Sequence, residues 1–388
     1  MMIANIWTYK DLIDHALDFQ GAATDEQSER FARRSIQAAV NEMMSKKDWF
    51  YYIDEGQVLT SAPYATGTIE YDHTGGSSER LVTLTSGTWP SWAADGIIII
   101  DSITYPCASR ISDTLITLSD SHNPGSDIAA GTSYVIARDT YPLPLDVKNI
   151  GEVVLQSAYQ ILRNVSLDEI VMMRTTDVTR SQPHMYALKG DPNRFESLSI
   201  KLHPVPDDDY KLKFGYNRKP RPMRTDYYAV GTVNLSTSST TVTGTGTTWH
   251  SGMVGSVIRF SNDGTNVPTG LSGASPFWLE RVIVGYGSET SITIDEIPGQ
   301  TLTNVRYSIS DPLDVESGAM LTYFLREIER QIRIVRRMKP LADENENYRL
   351  TLLNALEADS RIHNSRWPQY NVGIGTRLAN MPTAPNIG

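Results

Sequence analysis

The chain has 388 residues, with 35 Lys and Arg against 45 Asp and Glu, a formal net charge of −10. With 40% hydrophobic and 21% charged residues and a mean hydropathy of −0.30, it is a core-forming polypeptide long enough for two or three domains, which excludes wholesale disorder. An acidic chain is a poor overall match for nucleic acid, one cysteine (Cys107) excludes an internal disulfide framework, and the longest aliphatic run, Ile97 to Ile100, falls far short of the ~20 residues of a membrane-spanning helix.

The opening Met1-Met2-Ile3-Ala4-Asn5 lacks the basic and apolar regions of a secretion signal, which predicts a product made and kept in a cytoplasm or assembled from there. Residues 1–60 read as two helices. Thr8 with Asp11 suggests a cap, Leu12, Ile13, Ala16 and Leu17 follow at helical spacing, and Gly21 supplies a stop. Thr24 with Gln27 opens a second helix carrying Phe31, Ala32, Ile36, Ala39, Val40 and Met43. Trp49-Phe50-Tyr51-Tyr52-Ile53 then switches to a strand pattern.

From residue 61 the chain turns Thr-, Ser- and Gly-rich, which predicts a β domain over 61–141. Residues 142–229 read as a helix bearing Val153, Leu155, Ala158, Tyr159 and Leu162, a short helix capped by Ser166 and Glu169, and a hairpin built from 186–188, 197–202 and 210–216. A second β domain is expected over 230–312, where residues 230–251 alone hold twelve Ser and Thr. The two β stretches repeat each other. Val82-Thr83 precedes Trp89 as Val242-Thr243 precedes Trp249; Ser112 to Leu118 matches Ser288 to Ile294; Tyr134-Val135-Ile136 matches Tyr307-Ser308-Ile309. Each copy leaves through Leu-Asp-Val, at Leu145 and at Leu313. The second copy carries an extra loop near Asn262 to Trp278.

Residues 313–362 read as a helical hairpin, its first helix striped by Leu321, Phe324, Leu325, Ile328, Ile332 and Val335. Arg326, Arg330, Arg333, Arg336, Arg337 and Lys339 make a local basic strip, expected at a subunit interface or facing a DNA channel. Residues 363–388, with three prolines and the apolar Trp367, Tyr370, Val372, Ile374, Leu378 and Met381, read as an extended arm that orders on a partner. The expected fold is therefore α+β: a helical core, made of the N-terminal helices and the C-terminal hairpin, with two inserted, duplicated small β domains and an extended C-terminal arm.

Catalytic patterns are thin. There is no P-loop, GxSxG, HExxH or paired CxxC, and the seven histidines show no metal-ligand spacing, so no catalytic, cofactor or metal residue is nominated and the chain is expected not to be an enzyme. Asp207-Asp208-Asp209 suits a solvated turn better than a metal site. Trp89 and Trp249, repeated at one place, suit core anchors better than sugar platforms. Cys107 has no sequence partner to activate it and reads as a structural thiol.

The order of parts is distinctive. Arg33-Arg34 and Asn41-Glu42 lead into Trp49 to Tyr52; Tyr141-Pro142-Leu143-Pro144, Val165 to Glu169, Tyr186 to Gly190, Pro204 to Asp207 and Tyr216 to Pro220 follow; then come the Gly-Thr-Val to Trp249 module and the arginine-rich hairpin with its loose tail. Over most of its length this resembles the head-to-tail adaptor (connector, or neck) proteins of short-tailed bacteriophages. The resemblance implies a structural virion protein of the neck, assembled in the host cytoplasm into a homo-oligomeric ring of about twelve copies. Its partners would be the portal protein, the tail nozzle or tail tube and tail fibres, with genomic DNA passing through and no membrane. The helices would meet neighbours and portal, and Trp367, Tyr370, Ile374, Leu378 and Met381 would dock onto the portal. Two other classes stay open at this point: a receptor- or glycan-binding tail component, and a virion peptidoglycan hydrolase.

Overall fold

A computed structural model describes residues 6–21, 25–74, 79–176, 179–192, 194–261, 264–269, 277–336, 338 and 342–366. The chain divides into two units, one formed by 52–219 and the other by 1–51 with 220–388. Five α-helices are present among the described residues: α1 (Tyr9–Gln20), α2 (Glu26–Lys46), α3 (Leu167–Thr176), α4 (Ala319–Val335) and α5 (Ala342–Arg366). Thr8 and Asp11 form a reciprocal capping box on α1, and Gly21 closes that helix at φ 58°, a conformation that side chains resist. Asp25 caps α2 by accepting the Ser28 N–H at 2.9 Å; the expected Thr24 start lies outside the described residues. The apolar stripes of α1, α2 and α4 bury against one another, and α5 packs on α4.

The 52–219 unit is built from three sheets. β1 (Ile53–Leu59) precedes a seven-stranded module of β2 (Ile69–Asp72), β3 (Leu81–Leu84), β4 (Ile97–Ile100), β5 (Ile103–Arg110), β6 (Leu115–Leu118), β7 (Ile128–Thr132) and β8 (Val135–Ala137). Then follow β9 (Thr140–Pro142), β10 (Val147–Leu155), β11 (Gln160–Ile161), β12 (Arg163–Asn164), β13 (Met185–Gly190), β14 (Leu198–His203) and β15 (Lys211–Arg218). These give two four-stranded sheets, ordered β1-β15-β10-β11 and β12-β13-β14-β9. One core lies between them, with Val153, Leu155, Leu212 and Phe214 from the first and Tyr141, Tyr186, Ile200 and Leu202 from the second.

The other unit sets the helices beside a second seven-stranded module: β16 (Thr232–Leu235), β17 (Thr241–Thr245), β18 (Val257–Ser261), β19 (Phe277–Ser288), β20 (Ser291–Ile294), β21 (Leu302–Val305) and β22 (Tyr307–Ser310). Its order, β21-β16-β17-β20-β19-β18-β22, is strand for strand that of the first module, β7-β2-β3-β6-β5-β4-β8. Registers agree as well. Val82 lies opposite Ile116 as Val242 lies opposite Ile292, and the Trp89 and Trp249 amides bond to the carbonyls of Asp113 and Glu289. In each module the two edge strands are consecutive in the chain; Arg306 alone separates β21 from β22. A single residue spans only a few ångströms, so the sheet must curl until its edges nearly meet, enclosing the tryptophan.

These sheets correct the expected fold class. Among the described residues the chain is mostly β, with four sheets, and is not a helical core carrying two small β insertions. The clearest departure is the helix expected over 147–162, which is β10 and β11. Val153 and Leu155 are apolar at period two and point into the core between the sheets, while Ala158 and Tyr159 lie in the turn, Tyr159 at φ 49°. The segments expected to form one hairpin also separate: β13 and β14 pair with each other, whereas β15 joins β1 and β10.

Candidate functional site

The arginine strip on α4 is the one predicted site that falls largely on described residues. Arg326 pairs with Glu329 at 2.7 Å. Arg330 pairs with Glu327 at 2.7 Å, lies 3.5 Å from Glu42 and stacks 5.0 Å above the Tyr348 ring. Arg333 sits 5.3 Å over Phe19, and Arg336 5.9 Å over Phe31. The strip is thus knitted to α1, α2 and α5 by carboxylates and aromatic faces, which relieves the repulsion of like charges one turn apart. Glu327, fully buried, also accepts from Gln331. Arg337 and Lys339 lie outside the described residues, as do all five docking-arm residues, Trp367, Tyr370, Ile374, Leu378 and Met381.

Between these arginines lies a notch of about 190 Å³ lined by Phe19, Arg330, Arg333, Ile334, Met338 and Tyr348. Ile334 and Met338 are each about half exposed there, and Leu350 and Leu353 are similarly open on α5. Met338 lies just past the end of α4, and Leu350 and Leu353 stand one turn apart on the outward side of α5.

Sequence reasoning missed a buried ion cluster. Arg259 on β18 forks onto both oxygens of Asp11, at 3.0 and 2.8 Å, and bonds through Nε to Glu280 at 2.8 Å. A further N–H reaches the Ile6 carbonyl at 2.7 Å. Burial pulls the Arg259 guanidinium down, but the two carboxylates outweigh that and hold it above its ordinary value. The available signal was a charge inside the apolar run Val257-Ile258-Arg259-Phe260.

The remaining candidates are structural. Trp89 and Trp249 are both about 1% exposed, so neither can stack on a sugar. Asp207 accepts from the Tyr210 hydroxyl, Asp208 from the Asp209 amide and Asp209 from the Ala62 amide. No His, Cys, Asp and Glu group able to hold a metal occurs among the described residues. Burial pushes the Cys107 thiol up to about 12, the opposite of an activated nucleophile. No helix among the described residues is long and apolar enough to cross a membrane. No protein-family model matches the chain, and no curated protein matches it.

Proposed function

We propose that this chain is a non-enzymatic structural protein of a short-tailed bacteriophage virion, closing with copies of itself into a ring of about twelve that joins the portal of the DNA-filled head to the tail. The observation that carries the reading is the open apolar surface of the helices: Ile334 and Met338 beside the α4 notch, and Leu350 and Leu353 on α5. Half-covered already, each such side chain would gain about half of the roughly 1.5–3 kcal/mol that complete burial gives, and a ring repeats that gain around its circumference. The resemblance in the order of sequence parts supports the portal as partner. A net charge of −10 suits a wall past which DNA must slide.

The test is native mass spectrometry of the full chain, alone and with the purified portal ring of the same phage. The expected result is a closed oligomer that binds the portal. Ile334→Asp with Leu353→Asp should abolish it while leaving circular dichroism unchanged. A chain that stays monomeric and ignores the portal at every concentration overturns the proposal.

A further inference from the structure

The 52–219 unit contains a cleft of about 540 Å³ that the proposed function does not use. One wall is the outer face of the β13–β14–β9 sheet. Tyr186, Leu188, Ile200 and Leu202 point from that sheet into the core, and the alternate positions, Lys189, Ser199, Lys201, Thr140 and Pro142, line the cleft. The facing wall comes from the first β module and sets Ile97, Pro106 and Cys107 beside the Asp95 carboxylate.

The charges in this cleft do not balance. Arg138 pairs with Asp95 at 2.7 Å and Arg194 with Asp191 at 2.9 Å. Asp139 must serve two cations, Lys201 at 2.8 Å and Arg174. Lys189 has no ion pair among the described residues. Four cations therefore line the cleft against three carboxylates, and Arg174, outside the lining, draws on Asp139 as well. Because Ala187 is registered with Lys201 and Lys189 with Ser199, the two lysines are diagonal neighbours on one face. Such neighbours stand about 7–8 Å apart at the backbone, within reach of a single oxyanion for side chains of this length. Burial, then the neighbouring Arg174, push the Lys201 ammonium below its ordinary value despite Asp139, and Lys189 adds to the repulsion. The Ser199 hydroxyl is already committed to Asp191 at 3.0 Å, which leaves the lysines as the available donors.

We infer that this cleft binds a compact polyvalent anion, a phosphate or a carboxylate, bridged between Lys189 and Lys201. Two lysine ammoniums converging on one point call for a ligand with at least two anionic oxygens, and the recessed setting strengthens a charge-assisted hydrogen bond relative to open water.

Isothermal titration of the full chain at low salt, with inorganic pyrophosphate in one arm and citrate in the other, tests this. Saturable one-to-one binding of either probe supports the site, and the stronger arm identifies phosphate or carboxylate as its chemistry. Lys189→Met should weaken binding by about tenfold or more, as loss of one charge-assisted contact does. Lys213→Met, on the separate β15 strand, should leave it unchanged. Lys189 is only partly buried and has no ion pair among the described residues, so its variant should fold normally by circular dichroism. Absence of saturable binding in both arms overturns the inference, as does undiminished binding by Lys189→Met.

Discussion

Arg259 and Asp11 are 248 positions apart in the chain and bonded side chain to side chain at 2.8 Å, both almost wholly buried. The pair does two jobs in one place. Asp11 also receives the Thr8 amide at 2.9 Å, so the carboxylate that caps α1 is the one that anchors the helix to β18. Removing one partner of a buried pair leaves the other charge desolvated and uncompensated, at a cost of about 3–5 kcal/mol. Asp11→Ala should lose that much by urea denaturation, well beyond the ~1 kcal/mol of an ordinary cap. A loss of only cap size would mean that Glu280 alone satisfies Arg259.

The two tryptophans make a sharper comparison, because their surroundings are nearly the same. Trp89 packs edge-on against Tyr134 at 5.1 Å, and Trp249 against Tyr307 at 5.9 Å. Each tyrosine donates to a main-chain carbonyl, Thr66 or Val230. Only Trp249 donates its indole N–H, to Tyr307 at 3.0 Å; the Trp89 indole nitrogen is buried without a hydrogen-bond partner. Trp→Phe at both sites removes similar volume, but only Trp249→Phe also removes a hydrogen bond. It should cost roughly 1 kcal/mol more than Trp89→Phe, measured by circular dichroism in urea. Equal losses would mean that the bond contributes nothing net.

The repeat was legible because it lies in local residue order: Val-Thr before tryptophan, and Ser-x-Thr before an alternating strand. Its first strand was harder to see. Gly67 and Gly231 occupy the same place at φ 84° and 83°, where a side chain would collide with the main chain at Ser86 or Thr245, yet the residues around them differ. The α1 cap was legible for the same local reason. The buried cluster was not, since no spacing rule links Asp11, Arg259 and Glu280. The helix expected over 147–162 failed on periodicity. A short run such as Val153, Leu155 and Leu162 fits either period, and the choice was made by partners far away, β15 and the β13–β14 hairpin, which the local pattern does not contain.

Asp139 gives the stability a definite pH dependence. Burial alone would raise its carboxyl, but Lys201 and Arg174 more than offset this and hold it well below the usual carboxylate range. A folded-state value below the unfolded one, about 3.9, means that the unfolded chain binds the proton first. The stabilisation is then full above about pH 4 and is lost as pH falls toward the folded value. Asp139→Asn should therefore be markedly less stable than the parent at pH 7 and pH 5, with the gap narrowing by pH 3. Urea midpoints at the three values check this. A gap that stays constant would mean that the carboxylate charge is not what Lys201 and Arg174 require.

The last prediction concerns residues 367–388, downstream of α5. Trp367, Tyr370, Ile374, Leu378 and Met381 are costly to leave in water, at roughly 1.5–3 kcal/mol for each side chain that could be fully buried. Ordering that stretch of backbone costs roughly 1–2 kcal/mol per residue, so a single arm gains little by docking. Twelve arms around a ring change the arithmetic: once one has docked, the others bind at the high effective concentration set by the ring, and weak contacts become a join that does not reverse. Under the proposed function, a chain ending at Arg366 should match the full chain in urea stability within about 0.5 kcal/mol, as is usual for changes that remove no core packing. It should also still form rings, yet fail to complete packaged heads in reconstitution. If the shortened chain completes heads at the parental rate, the portal contact lies instead on the helices, where Ile334, Met338, Leu350 and Leu353 are the side chains to mutate next.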